Sequence, residues 1–222
     1  MMTHSKWSLT SASWQASEIL GRLTLAGLLL ASASVSAFVV NITPVNKTMF
    51  LQVGVGTMTG GTYSAGGVPG DNPAVNLVSV TIPAANLGSG TAAMTTNSTV
   101  TNSAYDGRAF CTIPAQVYVA GFHRAAAPNS FAALTASVPA NLTNVDGSTI
   151  PFNQISWVSG PINDPSPAIP SGTFAAGAIA QLIYSVPEST WIESCLRFNY
   201  ANTQQVQAGT YTGQVTYTLT AP

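Results

Sequence analysis

The chain has 222 residues, with 6 Lys and Arg against 7 Asp and Glu, so charged residues make up 6% where an average soluble domain carries about 25%. A net charge of −1 leaves no basic patch for phosphates and no acidic tail, which excludes sequence-independent nucleic-acid binding and charge-driven disorder alike. Hydrophobic residues stand at an ordinary 46%, so Thr, Ser, Asn, Gln and Gly have replaced the missing charge, and the composition is not that of a bundle of membrane spans.

Lys6 and Arg22 precede the apolar run 23–30 (LTLAGLLL), which passes through small residues into Ser34-Val35-Ser36-Ala37. This order predicts a signal peptide over 1–37, cleaved after Ala37, followed by a single domain over 38–222 with no transmembrane span. An uncleaved anchor over 23–40 is the competing reading, and the serines from 32 to 36 weaken it. Beyond the cleavage point Phe38, Val40 and Ile42 alternate with Val39, Asn41 and Thr43 until Pro44 interrupts.

Period-two alternation and strand-forming residue types then predict strands at 49–55, 75–82, 115–122, 131–138, 154–158 and 178–186, with a short helical turn near 84–87. In 191–200 the alternation puts Ile192, Leu196, Phe198 and Tyr200 on one face and Glu193, Cys195, Arg197 and Asn199 on the other. The last strand, 210–220, puts Tyr211, Val215, Tyr217 and Leu219 on one face against Thr and Gln. Turn clusters separate these segments at 66–73, Asp106-Gly107, Asp146-Gly147 and 161–170. Short strands at this spacing predict an all-β chain, an immunoglobulin-like or jelly-roll β-sandwich. A transmembrane barrel fits less well, because the chain ends in Thr220-Ala221-Pro222 without a terminal aromatic.

In an exported chain the even cysteine count predicts a disulfide between Cys111 and Cys195, closing a loop of about 84 residues at roughly 4 kcal/mol. Two buried thiols are the alternative.

Few residues could carry catalysis. His123, beside Arg124, is the one histidine beyond residue 37, too few for a zinc site, and no Gly-x-Ser-x-Gly elbow accompanies it. It reads as a polar strand-end residue. Glu188 and Glu193 are formally a carboxylate pair for glycoside hydrolysis, but Glu193 lies four residues before Arg197 on one strand face and reads as an ion pair or a solvated charge. Asp71 and Asp164 sit beside Asn in Pro-rich loops without a calcium-loop spacing. Gly54-Val55-Gly56 lacks the third glycine of a dinucleotide fingerprint, because Thr59 takes that place, and the lysine of a phosphate loop. No enzyme activity and no cofactor are expected. Trp157, Trp191, Tyr105 and Tyr118 could stack on sugars, or fill a sandwich core. Asn41, Asn46, Asn97 and Asn141 begin Asn-x-Thr matches, expected by chance in a chain so rich in Asn and Thr.

The segment Ala208-Gly209-Thr210-Tyr211-Thr212-Gly213-Gln214-Val215-Thr216-Tyr217-Thr218-Leu219 resembles the closing strand of bacterial chaperone-usher pilins and of spore coat protein U domains. It is also similar to the ending of WxL domains, with Tyr217-Thr218-Leu219 where those carry Trp-x-Leu. The pilin resemblance implies an incomplete immunoglobulin-like sandwich, completed by a strand lent by a neighbour. Many such pilins carry their two cysteines close together near the start of the domain, unlike Cys111 and Cys195. On this reading Phe38, Val40 and Ile42 are the donor side chains, and Tyr211, Val215, Tyr217 and Leu219 border the accepting groove. The expected function is a secreted surface or fimbrial structural subunit of the periplasm or cell surface, active in adhesion or pilus building, with like subunits or a periplasmic chaperone as partners. The alternative is a freestanding secreted carbohydrate-binding module using Trp157 or Trp191 on a glycan.

Overall fold

A computed structural model describes residues 48–72, 74–124, 129–160 and 167–222. The expected signal peptide, Phe38, Val40, Ile42 and Asp164 lie outside the described residues. Those described fall within one unit, Thr43–Pro222, and no helix among them is long and apolar enough to cross a membrane.

The fold is an all-β sandwich. Its longer strands are β1 (Thr48–Val53), β2 (Val117–Arg124), β3 (Phe131–Ser137), β4 (Ile155–Ser159), β5 (Gln181–Pro187), β6 (Ile192–Tyr200) and β7 (Thr216–Thr220). One sheet runs β1-β2-β6-β4, extended past β4 by Gly172–Thr173, with Ala92–Ala93 pairing to the end of β6. The other is three-stranded, β5-β3-β7. All pairings are antiparallel. After β2 every connection between these strands crosses from one sheet to the other, so the chain itself closes the sandwich.

The inward faces follow the period of two. Ala132, Leu134 and Ala136 of β3 are fully buried against Val117 and Val119 of β2 and Ile192, Leu196 and Phe198 of β6. Trp157 of β4 packs 4.8 Å from Phe174, which stacks at 6.2 Å on Phe198. Each such large side chain contributes roughly 1.5–3 kcal/mol of burial. Asn202, buried at a positive φ of 48° just after β6, donates to the Asn86 and Gly90 carbonyls and accepts from the Gly88 amide, tying that turn to the sheet.

The first sheet is covered on its outer face as well. Between β1 and β2 the chain makes a long excursion, 54–116, and Tyr118, Ala120 and Phe122 lie buried beneath it with Phe50, Cys111 and Cys195. This explains why β2 reads as an almost continuous apolar run, since neither of its faces meets water. The excursion carries little regular structure: Met58–Thr59 pairs with Val68–Pro69, and Val78–Ser79 with Thr95–Thr96. The expected strand 75–82 therefore shrinks to two residues. The helical turn near 84–87 is a 3-10 turn, Ala84–Asn86. The expected disulfide is formed, and Cys111–Cys195 fastens the end of the excursion to the outer face of β6.

The closing strand is shorter than its alternation suggests. Only Thr216–Thr220 is laddered, while Thr212 makes an isolated bridge to Thr143. Gly213 explains the interruption: a Cβ there would come within 2.7 Å of Leu142 and 2.9 Å of Phe152, so the backbone passes too close to a hairpin, Asn141–Thr143 with Thr149–Pro151, to continue the ladder.

Candidate functional site

Two regions bring candidate residues together. The first lies under the excursion, on the outer face of β6, and is organised by Glu193. The half-buried carboxylate accepts from the Tyr118 hydroxyl at 2.6 Å, from the Trp191 indole N–H at 3.0 Å, and from the Ser103 hydroxyl, 2.8 and 2.9 Å from its two oxygens. Two of those donors also hold the loop above. Tyr118 Oη accepts the Ala104 amide at 3.1 Å and Ser103 Oγ accepts the Tyr105 amide at 3.0 Å. One carboxylate thus joins β2, β6 and the loop, and the expectation of a Glu193–Arg197 pair or a solvated charge is overturned. Arg197 is exposed, and the ion pair found among the described residues is Arg108–Asp106 at 2.6 Å.

Aromatic rings surround the network. Trp191 lies 5.1 Å from Phe50, 4.6 Å from Tyr63 and 5.7 Å from Tyr105, while Tyr63 lies 5.3 Å from Phe122. The Arg124 guanidinium sits 5.9 Å over the Phe122 ring. Tyr105 is the most open of these aromatic rings, 39% exposed. It borders an open depression of about 530 Å³ whose lining includes Phe110, Ser189, Thr190, Trp191 and Glu193. Burial, followed by the Glu193 charge and hydrogen bond, pushes the Tyr118 hydroxyl far above its ordinary range. On the loop, the Arg108 amide and guanidinium hold the Asp106 carboxyl below its ordinary range.

The other sequence candidates are dispersed. Trp157 is buried and donates to the Pro170 carbonyl at 2.8 Å, so it offers no ring to a ligand. Tyr118 is likewise fully buried rather than exposed. His123 is completely buried near the end of β2, with Nε2 3.4 Å from the Ser130 hydroxyl and Nδ1 without a hydrogen-bond partner. Glu188 accepts from the Asn129 amide at 3.1 Å and lies 3.4 Å from Ser130 Oγ, with partners wholly different from those of Glu193. Asp71 is exposed, and no group of three or more His, Cys, Asp or Glu among the described residues could hold a metal ion.

The second region is the flank where β1 and β7 end their sheets. β7 pairs with β3 on one side and β1 with β2 on one side; among the described residues no strand pairs with the other edge of either, although the Asn72 and Asn76 side chains donate to the Leu51 and Val53 carbonyls of β1, and the two edges approach each other. Leu51 and Val53 of β1, Tyr217 of β7 and Val215, Tyr211 and Val206 before it all pack on the main core yet remain only partly buried. Leu219 is buried. The other edges differ: β5 carries a register shift between Leu182 and Tyr184 and ends at Pro187, and β4 is covered by Gly172–Thr173. Bulges, prolines and charges are what keep sheet edges from pairing. The β7 sequence, Thr216-Tyr217-Thr218-Leu219-Thr220, has none of these.

The sequence pattern pointed to β7 but not to the Glu193 network, whose parts are spread over residues 103, 118, 191 and 193. The one signal for it was Cys195 on the face of β6 that otherwise reads as polar. Comparison with protein-family models, curated proteins and solved structures finds no match to this chain.

Proposed function

We propose that this chain is an exported structural subunit of a surface or fimbrial assembly, and that it works by accepting a β-strand along β7 from a like subunit or an assembly chaperone. The observation that carries the reading is the asymmetry of the edges: β5 and β4 are guarded and Asn72 and Asn76 occupy two β1 carbonyls, whereas β7 has, among the described residues, no partner on its second edge and presents a charge-free ladder beside a row of half-buried apolar side chains. An added strand would satisfy free backbone groups at about 0.5–1.5 kcal/mol each and cover Leu51, Val53, Val215 and Tyr217. The alternating Phe38, Val40 and Ile42 supply side chains suited to that row, each worth roughly 1.5–3 kcal/mol when buried. The low charge of the whole chain supports the same reading, because Lys and Glu are the usual guards of exposed sheet.

Deletion of residues 38–43 tests it. The expected result is loss of oligomers and of surface display while the Cys111–Cys195 disulfide still forms. Oligomers and display that persist unchanged after the deletion overturn strand exchange.

A further inference from the structure

The depression beside Tyr105 has no role in strand pairing, since it opens on the outer side of the first sheet. We propose that it is a binding site for a neutral saccharide, which would make the subunit an adhesive one.

Three features of the lining select that ligand class. Tyr105 exposes an aromatic ring and Trp191 adds part of another, which suits the C–H face of a pyranose. Ser189 supplies a hydroxyl that both donates and accepts, Thr190, whose hydroxyl donates to the Glu188 carbonyl, keeps acceptor capacity, and Glu193 supplies a further acceptor, matching sugar hydroxyls in both senses. Glu193 Oε1 accepts from Ser103 alone, whereas Oε2 also accepts from Tyr118 and Trp191, so Oε1 retains acceptor capacity. Among the described residues no basic side chain lines the depression, and the carboxylate disfavours phosphate, sulfate and uronate groups. A cation is the rival ligand, since aromatic faces and a carboxylate attract one. Four hydrogen-bond contacts from neutral donors already serve the Glu193 charge, which leaves the hydroxyl-lined rim as the feature a ligand must answer.

The site is also held in shape before a ligand arrives. The amides of Ala104 and Tyr105 are tied through Tyr118 and Ser103 to Glu193, and the Asp106–Arg108 pair tightens the following turn, so Tyr105 stands on an anchored loop. Such anchoring lowers the ordering cost of weak binding.

The test is saturation-transfer NMR on the exported protein with the methyl glycosides of glucose, galactose, mannose and N-acetylglucosamine, and with cellotriose and chitotriose. Tetramethylammonium and glucuronate serve as charged probes. Saturable transfer is expected to at least one neutral saccharide, weakened at least about tenfold by Tyr105→Ala and severalfold by Thr190→Val, and unchanged by Val145→Ser on a distant hairpin tip. Tyr105→Ala removes an open ring and leaves the buried network in place, so loss of binding there reports the site and not unfolding. No transfer to any of the saccharides, transfer that survives Tyr105→Ala, or preference for tetramethylammonium or glucuronate would each overturn the proposal. Because the depression and the β7 edge share no residue, the deletion of 38–43 and these titrations fail independently.

Discussion

Glu193→Ala separates the network found on β6 from an ordinary surface charge. In the native fold the carboxylate accepts from Tyr118, Ser103 and Trp191. Tyr118 is fully buried and Ser103 is only 4% exposed, so water cannot readily replace the lost acceptor. A buried donor left without a partner costs about 1–3 kcal/mol. Two such donors, discounted because they share one network, give an expected loss of about 2–5 kcal/mol. An exposed pair with Arg197 would instead be worth at most about 1 kcal/mol. Urea unfolding reads the total, as a lowered midpoint at an unchanged slope. Amide exchange reads the place: protection should fall at Ala104 and Tyr105, whose amides bond to Tyr118 and Ser103. A loss below about 1 kcal/mol, or undiminished protection at those two amides, would refute the account of Glu193 as the post that holds the outer layer.

Replacing Cys111 and Cys195 together by Ala should cost up to about 4.5 kcal/mol, the chain-entropy value for a closed loop with a separation of 84, measured by urea unfolding against the oxidised parent. The raised Tyr118 hydroxyl makes stability pH-dependent on the alkaline side. The folded state keeps the proton while the unfolded chain loses it near the ordinary tyrosine value of about 10, so this contribution is complete below that pH and declines as pH rises beyond it. Tyr118→Phe should flatten that decline in a denaturation series from neutral to alkaline pH. Leu134→Ala, at a fully buried β3 position, should cost about 2–5 kcal/mol in the same assay. Val215→Lys places a charge beside the open flank at a partly buried position, and should abolish assembly, read by size-exclusion chromatography, while costing the isolated subunit less than the core substitution does.

Alternation was the most informative signal because it is local. It assigned Ile192, Leu196, Phe198 and Tyr200 to the core, and they are buried there. What it cannot assign is the cover over the opposite face. The alternation places Glu193 and Cys195 on one strand face with Arg197, yet the excursion covers the first two and leaves Arg197 exposed. That outcome depends on a segment some eighty positions earlier in the chain, and no period in 191–200 encodes it. The excursion itself is hard to read for a related reason: it is held by side-chain bonds such as Asn76 to the Val53 carbonyl of β1 and, beside one of its two-residue ladders, the Leu77 amide to Asn97, not by hydrophobic period. The closing strand failed in the opposite direction, since its alternation continues through Gly213 while close packing against Leu142 and Phe152 does not allow the ladder to do so.

The few charges of this chain are informative chiefly by where they are spent. Glu193 is consumed in anchoring the outer layer, Glu188 accepts at the turn beside β3, and Asp106 and Arg108 neutralise each other on one loop. None falls on β7, whose outward positions are Thr216, Thr218 and Thr220. A sheet edge left bare by a general scarcity of charge would be expected at every edge, but β5 is blocked by a register shift and Pro187, and β4 by Gly172–Thr173. Backbone geometry therefore guards β5 and β4, the Asn72 and Asn76 side chains occupy the Leu51 and Val53 carbonyls of β1, and β7 alone among the described edge strands carries none of these guards, as the proposed strand pairing requires.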